Sequence, residues 1–352
     1  MGQAVVERRQ ESTGSPPRVH RVFSGFDSIR LMQFGSARAH GYGESADVGP
    51  LSAGCHLTTS ILVFPAWIAV LLLAGIAPAQ QPALHLNPAV EKLAHGQPIL
   101  GTQTDDMSLQ NCHALARLDF DYSYVDMEHG PLNLDGLAFC IAAMVDKASI
   151  LKKNNAQPNV ALFARFPPYG RDLESNDWIV KQALDMGLMG IVFNGVDNKE
   201  QMTRLIQYMR YPQQKTSKYQ QPPGLRGYSP GNATFAWGIS AAEYERHADV
   251  WPLNPEGDLL AIPMIETAEG LKNVDEIAAV PGVGAIFIGA GADLSQYLGV
   301  PQTSPIVEQA RQTILAACKA HNVPCGITAL TKGEADRRLR EGWRMIRTER
   351  GQ

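Results

Sequence analysis

The chain has 352 residues, of which 45% are hydrophobic and 19% are charged, so it is long enough to bury one large core. Its formal net charge of −4 provides no broad cationic field for a phosphate backbone, which argues against nucleic acid as a partner. The 5 cysteines form neither a Cys-x-x-Cys pair nor a dense disulfide framework, so we expect small buried hydrophobic residues.

The N-terminal part of the chain divides into two segments that precede the fold. Residues 1–59 are rich in Gly, Ser, Arg and His without a hydrophobic period, which predicts a disordered or wrongly included extension. Residues 60–79 hold an apolar run of about 16 residues that closes on Ala77-Pro78-Ala79, a pattern that resembles a secretory signal peptide. We therefore expect export to the periplasm or the cell exterior, with a cytoplasmic or membrane-anchored protein as the alternatives.

From about residue 97 onward, short apolar runs alternate with longer helical patterns, which is typical of repeated βα units. The predicted strands cover 98–103, 122–127, 160–165, 190–194, 259–265, 285–289, 324–328 and 343–347. The predicted helices between them cover 111–118, 134–153, 178–186, 199–209, 274–279, 306–320 and 332–340. Strands buried on both faces read as unbroken apolar runs, so the pattern favours a closed (β/α)8 TIM barrel over residues 85–352.

Two features depart from a complete, regular barrel. The chain ends about five residues after the last predicted strand, so we expect the final helix to be missing or an oligomeric neighbour to cover that edge. The connection 211–258 is rich in Pro, Gly, Gln and Tyr and is too long for a simple linker in a compact domain. It predicts a lid or another excursion that faces the substrate.

Polar side chains follow five of the predicted strands at their carboxyl ends, where barrels of this type place their active sites. They are Asp126, Glu128 and His129 after the second strand, Arg165 after the third, Asn194 after the fourth, Glu266 after the fifth and Asp293 after the sixth. Although these residues are far apart in sequence, closure of the barrel predicts that they meet at one opening.

The types of these residues indicate a particular chemistry. The carboxylates of Glu266 and Asp293 are hard oxygen ligands suited to Mg²⁺ or Mn²⁺, and such a metal can bind a 2-oxo acid and stabilise its enolate. Arg165 can donate hydrogen bonds to the same oxygen, and His129 is a natural general base near neutral pH. The lysines fall in predicted helices or loops, which argues against Schiff-base chemistry.

Four motifs stand in the order typical of the HpcH/HpaI aldolase family, which this chain resembles from about residue 97 onward. They are VDMEHG at 125–130, MIET at 264–267, FIG at 287–289 and ADLS at 292–295. The resemblance implies a barrel of the phosphoenolpyruvate/pyruvate-domain type that uses Mg²⁺, Mn²⁺ or Co²⁺. It also implies an aldolase that either releases pyruvate or a similar 2-oxo acid together with an aldehyde, or joins the two. The resemblance further implies a homo-oligomer.

The resemblance implies roles for individual side chains in catalysis. His129 is the expected base, and Asp185 is expected to raise its basicity. Arg165 is expected to stabilise the transition state and to bind substrate, and Asp126 belongs to the same catalytic set.

Further residues are assigned to the metal and the substrate. Glu266 and Asp293 are expected to hold the metal. Glu128 is expected to support these ligands without binding the metal itself. The backbone of Gly291 and Ala292 is expected to bind the substrate carboxylate.

One departure from the family pattern leaves the substrate unnamed and keeps two alternatives open. Met264 stands where many members carry Gln, and a thioether cannot donate a hydrogen bond to a substrate oxygen. One alternative is an acyl-CoA lyase of the citrate-lyase β type, against which we weigh the lack of clustered Lys and Arg at the strand ends. The other is a non-catalytic exported barrel that binds an oxo acid or a sugar acid, against which the retained polar set argues.

Overall fold

The computed structural model of the protein describes residues 85–167, 172–289 and 291–349. The predicted extension 1–59 and the predicted signal peptide 60–79 lie outside the described residues, so both stay predictions. Across the described ranges, no helix has the length and apolar character needed to cross a membrane.

The described residues contain eight parallel strands, and each predicted strand is found with its ends within two residues of the prediction. The strands are β1 Ile99–Thr104, β2 Tyr122–Asp126, β3 Ala161–Arg165, β4 Gly190–Phe193, β5 Leu260–Pro263, β6 Ile286–Ile288, β7 Cys325–Thr328 and β8 Met345–Arg347. They are ordered β5-β4-β3-β2-β1-β8-β7-β6. Bridges from Ala261 to Val283 and from Met264 to Phe287 bring β5 and β6 together, which gives the (β/α)8 barrel.

Helices follow the strands in the expected alternation. They are α1 Pro88–Ala94, α2 Leu109–Leu115, α3 Leu134–Ala143, α4 Lys147–Lys153, α5 Leu173–Asp185, α6 Lys199–Met209, α7 Gly231–Trp237, α8 Ala241–His247, α9 Ala268–Lys272, α10 Val274–Ala278, α11 Ala292–Tyr297, α12 Pro305–Ala320 and α13 Lys332–Glu341. The single helix predicted over 134–153 is two helices. Asp146 starts the second one because its side chain accepts hydrogen bonds from the backbone N–H groups of Ala148 and Ser149.

The interior of the barrel is filled by aromatic rings that lie over glycines of neighbouring strands. A Cβ atom added at Gly101 would lie 2.4 Å from the Tyr122 ring, and one added at Gly190 would lie 2.6 Å from the Phe163 ring. The Tyr122 and Phe163 rings stack with their centroids 5.5 Å apart. These rings close the interior of the barrel between its two ends.

The long connection 211–258 packs near the amino end of β4, away from the carboxyl ends of the strands. Its helices α7 and α8 were not predicted. The indole Nε1 of Trp237 donates a hydrogen bond of 2.7 Å to the carbonyl of Gly187, just before β4. The guanidinium of Arg210, at the end of α6, pairs with Asp249 at 2.6 Å. The prediction of a lid that faces the substrate is therefore wrong.

Two disulfides correct the expectation that the cysteines are unpaired. Cys112 in α2 is bonded to Cys140 in α3, and Cys318 in α12 is bonded to Cys325 in β7. All four residues are buried, as expected. The pairing was missed because the partners become neighbours only once the helices pack around the barrel.

Candidate active site

A pocket with a volume of about 180 Å³ lies at the carboxyl ends of the strands. Six predicted site residues line it, namely His129, Arg165, Glu266, Gly291, Ala292 and Asp293. The expectation that polar residues scattered along the sequence share one opening is therefore confirmed for four of them, namely His129, Arg165, Glu266 and Asp293.

A buried ion pair joins the ends of β2 and β3. Asp126 and Arg165 are the last residues of these strands and stand opposite each other in the parallel register. The Arg165 Nε donates to Asp126 Oδ1 at 3.0 Å, and its Nη2 donates to Asp126 Oδ2. Burial opposes both charges, but these hydrogen bonds outweigh it, so the pKa of Asp126 is lowered and that of Arg165 is raised. The guanidinium is thus held in one orientation at the pocket wall.

Asp126 also shapes the loop that follows β2. Its Oδ1 accepts hydrogen bonds from the backbone N–H groups of Glu128 at 3.1 Å and His129 at 3.3 Å. Its Oδ2 accepts from Nε2 of Gln103 at 2.6 Å, and Gln103 in turn accepts from the Tyr124 hydroxyl at 2.7 Å. Both carboxylate oxygens are therefore occupied by the protein. Asp126 is therefore placed to position Arg165 and the loop after β2, and its expected catalytic role stays a prediction.

The charges of three carboxylates, those of Glu128, Glu266 and Asp293, act on one another near Arg165. The Oε2 of Glu128 lies 3.0 Å from the Arg165 Nη1, and the Oε2 of Glu266 accepts a hydrogen bond of 3.2 Å from the Gly195 backbone. Burial, followed by repulsion from Glu128 and Asp293, raises the pKa of Glu266 to about 7. Burial also raises the pKa of Glu128, with contributions from neighbouring carboxylates. The negative charge of Glu128, Glu266 and Asp293 together therefore exceeds the positive charge of Arg165.

This arrangement fits a divalent cation. The donors are hard oxygens, and a cation would offset both the burial of the Glu266 carboxylate and the repulsion from Glu128 and Asp293 that together raise its pKa. Among the residues that the structure describes, no three His, Cys, Asp or Glu side chains are placed to hold a metal by themselves. Glu266 and Asp293 could therefore hold a cation only if water or substrate oxygens complete its shell, as is usual for Mg²⁺.

The imidazole of His129 is open to the pocket. Its side chain is 67% exposed, and its Nε2 lies 3.7 Å from the Glu128 Oε2. A substrate in the pocket can therefore reach the ring without displacing another side chain.

The structure places Asp185 far along the barrel from His129. Asp185 ends α5, which leads into the amino end of β4, whereas His129 follows the carboxyl end of β2. Its carboxylate pairs with Lys181 and lies 2.7 Å from Nη2 of Arg226. The prediction that Asp185 raises the basicity of His129 is therefore wrong for groups within one chain.

Backbone geometry fixes the turn before α11. Gly291 has a φ angle of +82°, which favours glycine, and an added Cβ would lie 2.8 Å from the Nη2 of Arg311. Ala292 is the first residue of α11, next to this turn. Both residues line the pocket, and their expected contact with a substrate carboxylate stays a prediction.

The pocket also contains side chains that sequence reasoning missed, among them Gln103, Thr328 and Arg347. Gln103 is a polar residue at the end of the first apolar run, and Arg347 closes the eighth run in the same way. The rule that located Arg165 would have found both. Met264, which departs from the family pattern, places its sulfur 3.9 Å from the Arg165 Nη1.

The opening of this barrel combines a histidine, a buried arginine and several carboxylates. These are the groups expected of an enzyme site that performs acid–base chemistry. The family model described as HpcH/HpaI aldolase/citrate lyase matches residues 108–348, more than half of the sequence. The chain therefore belongs to the HpcH/HpaI aldolase/citrate lyase family.

Curated relatives and solved structures agree with this assignment. The chain is 30% identical over 247 residues to the 2-dehydro-3,6-dideoxy-6-sulfogluconate aldolase of Pseudomonas putida, covering 69% of this chain and 83% of the relative. It is 26% identical over 262 residues to the hydroxypyruvate/pyruvate aldolase of Paraburkholderia phytofirmans, covering 74% and 90%. A family member from Burkholderia cenocepacia superposes with a TM-score of 0.61 at 27% identity, covering 74% of this chain and 92% of the other. These relatives support an enzyme with lyase activity.

Proposed function

We propose that the protein is a divalent-metal-dependent aldolase. It cleaves a 4-hydroxy-2-oxo acid into an aldehyde and pyruvate or a similar 2-oxo acid, or it joins these two compounds in the reverse reaction. The observation that carries the proposal is that Glu266 and Asp293 line one pocket with Arg165, where burial, followed by the charges of Glu128 and Asp293, raises the pKa of Glu266 to about 7. The relatives from Pseudomonas putida and Paraburkholderia phytofirmans are both aldolases, which supports the same reaction class.

Glu266 and Asp293 are the residues that would hold the cation. When bound, a divalent cation would supply Lewis-acid chemistry to the carboxylate and keto oxygens of the oxo acid. Glu128 pairs with Arg165 and its negative charge also acts on Glu266, so it adds to the attraction for the cation.

His129 performs the proton transfers of the proposed reaction. In the cleavage direction it removes the proton from the 4-hydroxyl group, the bond between C3 and C4 breaks, and the aldehyde leaves. The electron pair of that bond remains on the oxo-acid fragment as an enolate. Arg165 donates hydrogen bonds to the oxygen on which negative charge develops. The enolate then takes up a proton at C3, so that the oxo acid is released and the proton count is restored.

The test of the proposal is the release of pyruvate from a 4-hydroxy-2-oxo acid by the full chain. The protein is treated with a chelator, assayed, and assayed again after addition of Mg²⁺, Mn²⁺ or Co²⁺, with pyruvate measured by a coupled lactate dehydrogenase. We expect cleavage only with metal and its loss in Glu266→Gln. Glu269→Gln, an exposed carboxylate in α9, is the matched control and should keep the wild-type rate. Equal rates with chelator and with metal would refute the metal dependence.

We further propose that the chain works in an oxidising compartment after export. The disulfides Cys112–Cys140 and Cys318–Cys325 support this, because such bonds persist outside reducing cytosol. Expression of the full chain in a bacterial host, followed by N-terminal sequencing and thiol titration under denaturing conditions, tests it. We expect a mature chain that begins near Gln80 with these cysteines oxidised. An uncleaved chain with reduced cysteines would contradict the proposal.

A further inference from the structure

Two polar side chains of the pocket have no role in the reaction proposed above. Gln103 belongs to β1 and Tyr124 to β2, and the two residues stand opposite each other in the parallel register. Both line the pocket, with Gln103 partly buried and Tyr124 fully buried. Because side chains alternate along a strand, Tyr124 lies on the same face of the sheet as Asp126, two residues further along β2. Gln103 can therefore reach the carboxylate that holds Arg165.

The amide of Gln103 connects an acceptor with a donor. Its Nε2 donates to Asp126 Oδ2 at 2.6 Å, and its Oε1 accepts from the Tyr124 hydroxyl at 2.7 Å. These partners determine the orientation of the amide, because an ionised carboxylate only accepts hydrogen bonds. Burial raises the pKa of Tyr124 to about 12, so its hydroxyl keeps its proton and donates it. An apolar side chain in place of Gln103 would break both hydrogen bonds.

Arg165 closes a cycle of four side chains with these residues. Its Nη2 donates to Asp126 Oδ2, the same oxygen that Gln103 reaches. Its guanidinium carbon lies 5.8 Å from the centroid of the Tyr124 ring, close enough for a cation–π contact. Tyr124 therefore contacts Arg165 through its ring and Gln103 through its hydroxyl, so that the four side chains hold one another in place.

The remaining contacts of the Arg165 guanidinium are weak or depend on Asp126. The Met264 sulfur lies 3.9 Å from Nη1, and a thioether is a weak acceptor. The Glu128 carboxylate lies 3.0 Å from Nη1, but the backbone N–H of Glu128 is itself bonded to Asp126 Oδ1. The orientation of the Asp126 carboxylate thus decides where both Arg165 and Glu128 lie. Gln103 holds that carboxylate from a strand that carries neither of them.

We propose that Gln103 is a positioning residue of the aldolase reaction. Held by Tyr124, it keeps the Asp126 carboxylate in the orientation that directs Arg165 toward the substrate oxygen on which negative charge develops. Gln103 acts through Asp126 and Arg165 and does not itself contact the reacting atoms. This inference rests on the proposed function and adds a residue to it.

The first test is the cleavage assay described above, applied to Gln103→Leu, which keeps a similar volume and removes both hydrogen bonds. We expect kcat to fall by about 10-fold, as for part of a hydrogen bond to a charged group, and KM to change by less than about 2-fold, because the lost interaction belongs to the transition state. Tyr124→Phe keeps the ring beside Arg165 and removes the donor to Gln103, so kcat should fall by about 3-fold. Gln110→Leu, an exposed glutamine in α2, is the matched control and should keep the wild-type kcat.

Two further measurements separate positioning from general damage to the barrel. In Asp126→Ala the carboxylate is gone, so the addition of Gln103→Leu should lower kcat by no more than about 2-fold. The other measurement is NMR of the full chain with ¹⁵N-labelled arginine, in which the Nε–H signal of Arg165 is identified by its loss in Arg165→Lys. This buried N–H is bonded to Asp126 Oδ1 at 3.0 Å. Its signal should be the same in wild type and Gln110→Leu, and it should shift or broaden in Gln103→Leu.

Several results would overturn the inference. They are a wild-type kcat in Gln103→Leu, losses that multiply in the double variant, and an unchanged Arg165 signal in Gln103→Leu. If Gln103→Leu does not fold, Tyr124→Phe decides the matter by the same two readouts. Failure of wild type to cleave any 4-hydroxy-2-oxo acid is a different outcome, because it would refute the proposed function. In that case the Arg165 signal still decides whether Gln103 fixes the guanidinium.

Discussion

Replacement of Asp126 by Asn should damage both stability and catalysis, because this carboxylate holds Arg165. The Asn amide must place its NH₂ group at one of the two carboxylate oxygen positions. In one orientation the NH₂ faces the donors Arg165 Nη2 and Gln103 Nε2. In the other it faces Arg165 Nε and the backbone N–H groups of Glu128 and His129. Two or three hydrogen bonds are then lost. Removing one partner of a buried ion pair costs roughly 3–5 kcal/mol, and the remaining contact of Arg165 with Glu128 favours the lower end, about 3 kcal/mol.

For a domain of this size, about 3 kcal/mol corresponds to a fall in Tm of roughly 6–12 °C. We also expect kcat for aldol cleavage to fall by up to about 100-fold, because a misplaced guanidinium no longer meets the developing charge. Thermal unfolding and steady-state kinetics measure the two effects. Asp121→Asn is the matched control, since Asp121 precedes the same strand and pairs with Lys92 at 2.6 Å outside the pocket, so its kcat should be unchanged. Wild-type Tm and kcat in Asp126→Asn would refute the reasoning.

Three further predictions concern the scaffold. Gly101→Ala should lower the free energy of unfolding by roughly 1–3 kcal/mol, because the new Cβ would press on the Tyr122 ring, and urea titration measures it. Cys112→Ser opens a disulfide that spans 28 residues and should cost about 3.5 kcal/mol. A reductant should lower the Tm of wild type at least as far, because it also opens Cys318–Cys325, whereas an unaffected wild type would refute the bond. Hydrogen bonds from Arg338 hold the pKa of Glu308 at about 2. That stabilisation is present above the ordinary pKa near 4.5 and is lost as pH falls toward 2, so the Tm difference between wild type and Glu308→Gln should narrow on acidification.

The strands and much of the pocket could be predicted because their signals are local. A buried parallel strand is an apolar run, and the residue after it lies at the opening of the barrel. Arg165 and Glu266 were located by this rule alone. Arg347 is the last residue of the predicted strand 343–347, so the same rule applies to it.

Other features depend on packing between distant parts of the chain. Asp185 ends a helix, and the sequence motif around it does not say that the helix end lies at the amino side of the barrel. Its partner Arg226 and the course of the connection 211–258 become visible only when the helices pack. The pairing of Cys112 with Cys140 is of the same kind, since it depends on the contact between α2 and α3.

Exchange of the methyl hydrogens of pyruvate with D₂O tests the central claim most directly, because it reports enolate formation without an aldehyde. Mass spectrometry of pyruvate incubated with the full chain should show deuterium uptake with Mg²⁺, Mn²⁺ or Co²⁺. The uptake should disappear with a chelator and in His129→Ala. Exchange that is independent of metal, or no exchange with pyruvate and longer 2-oxo acids under any condition, would contradict the account.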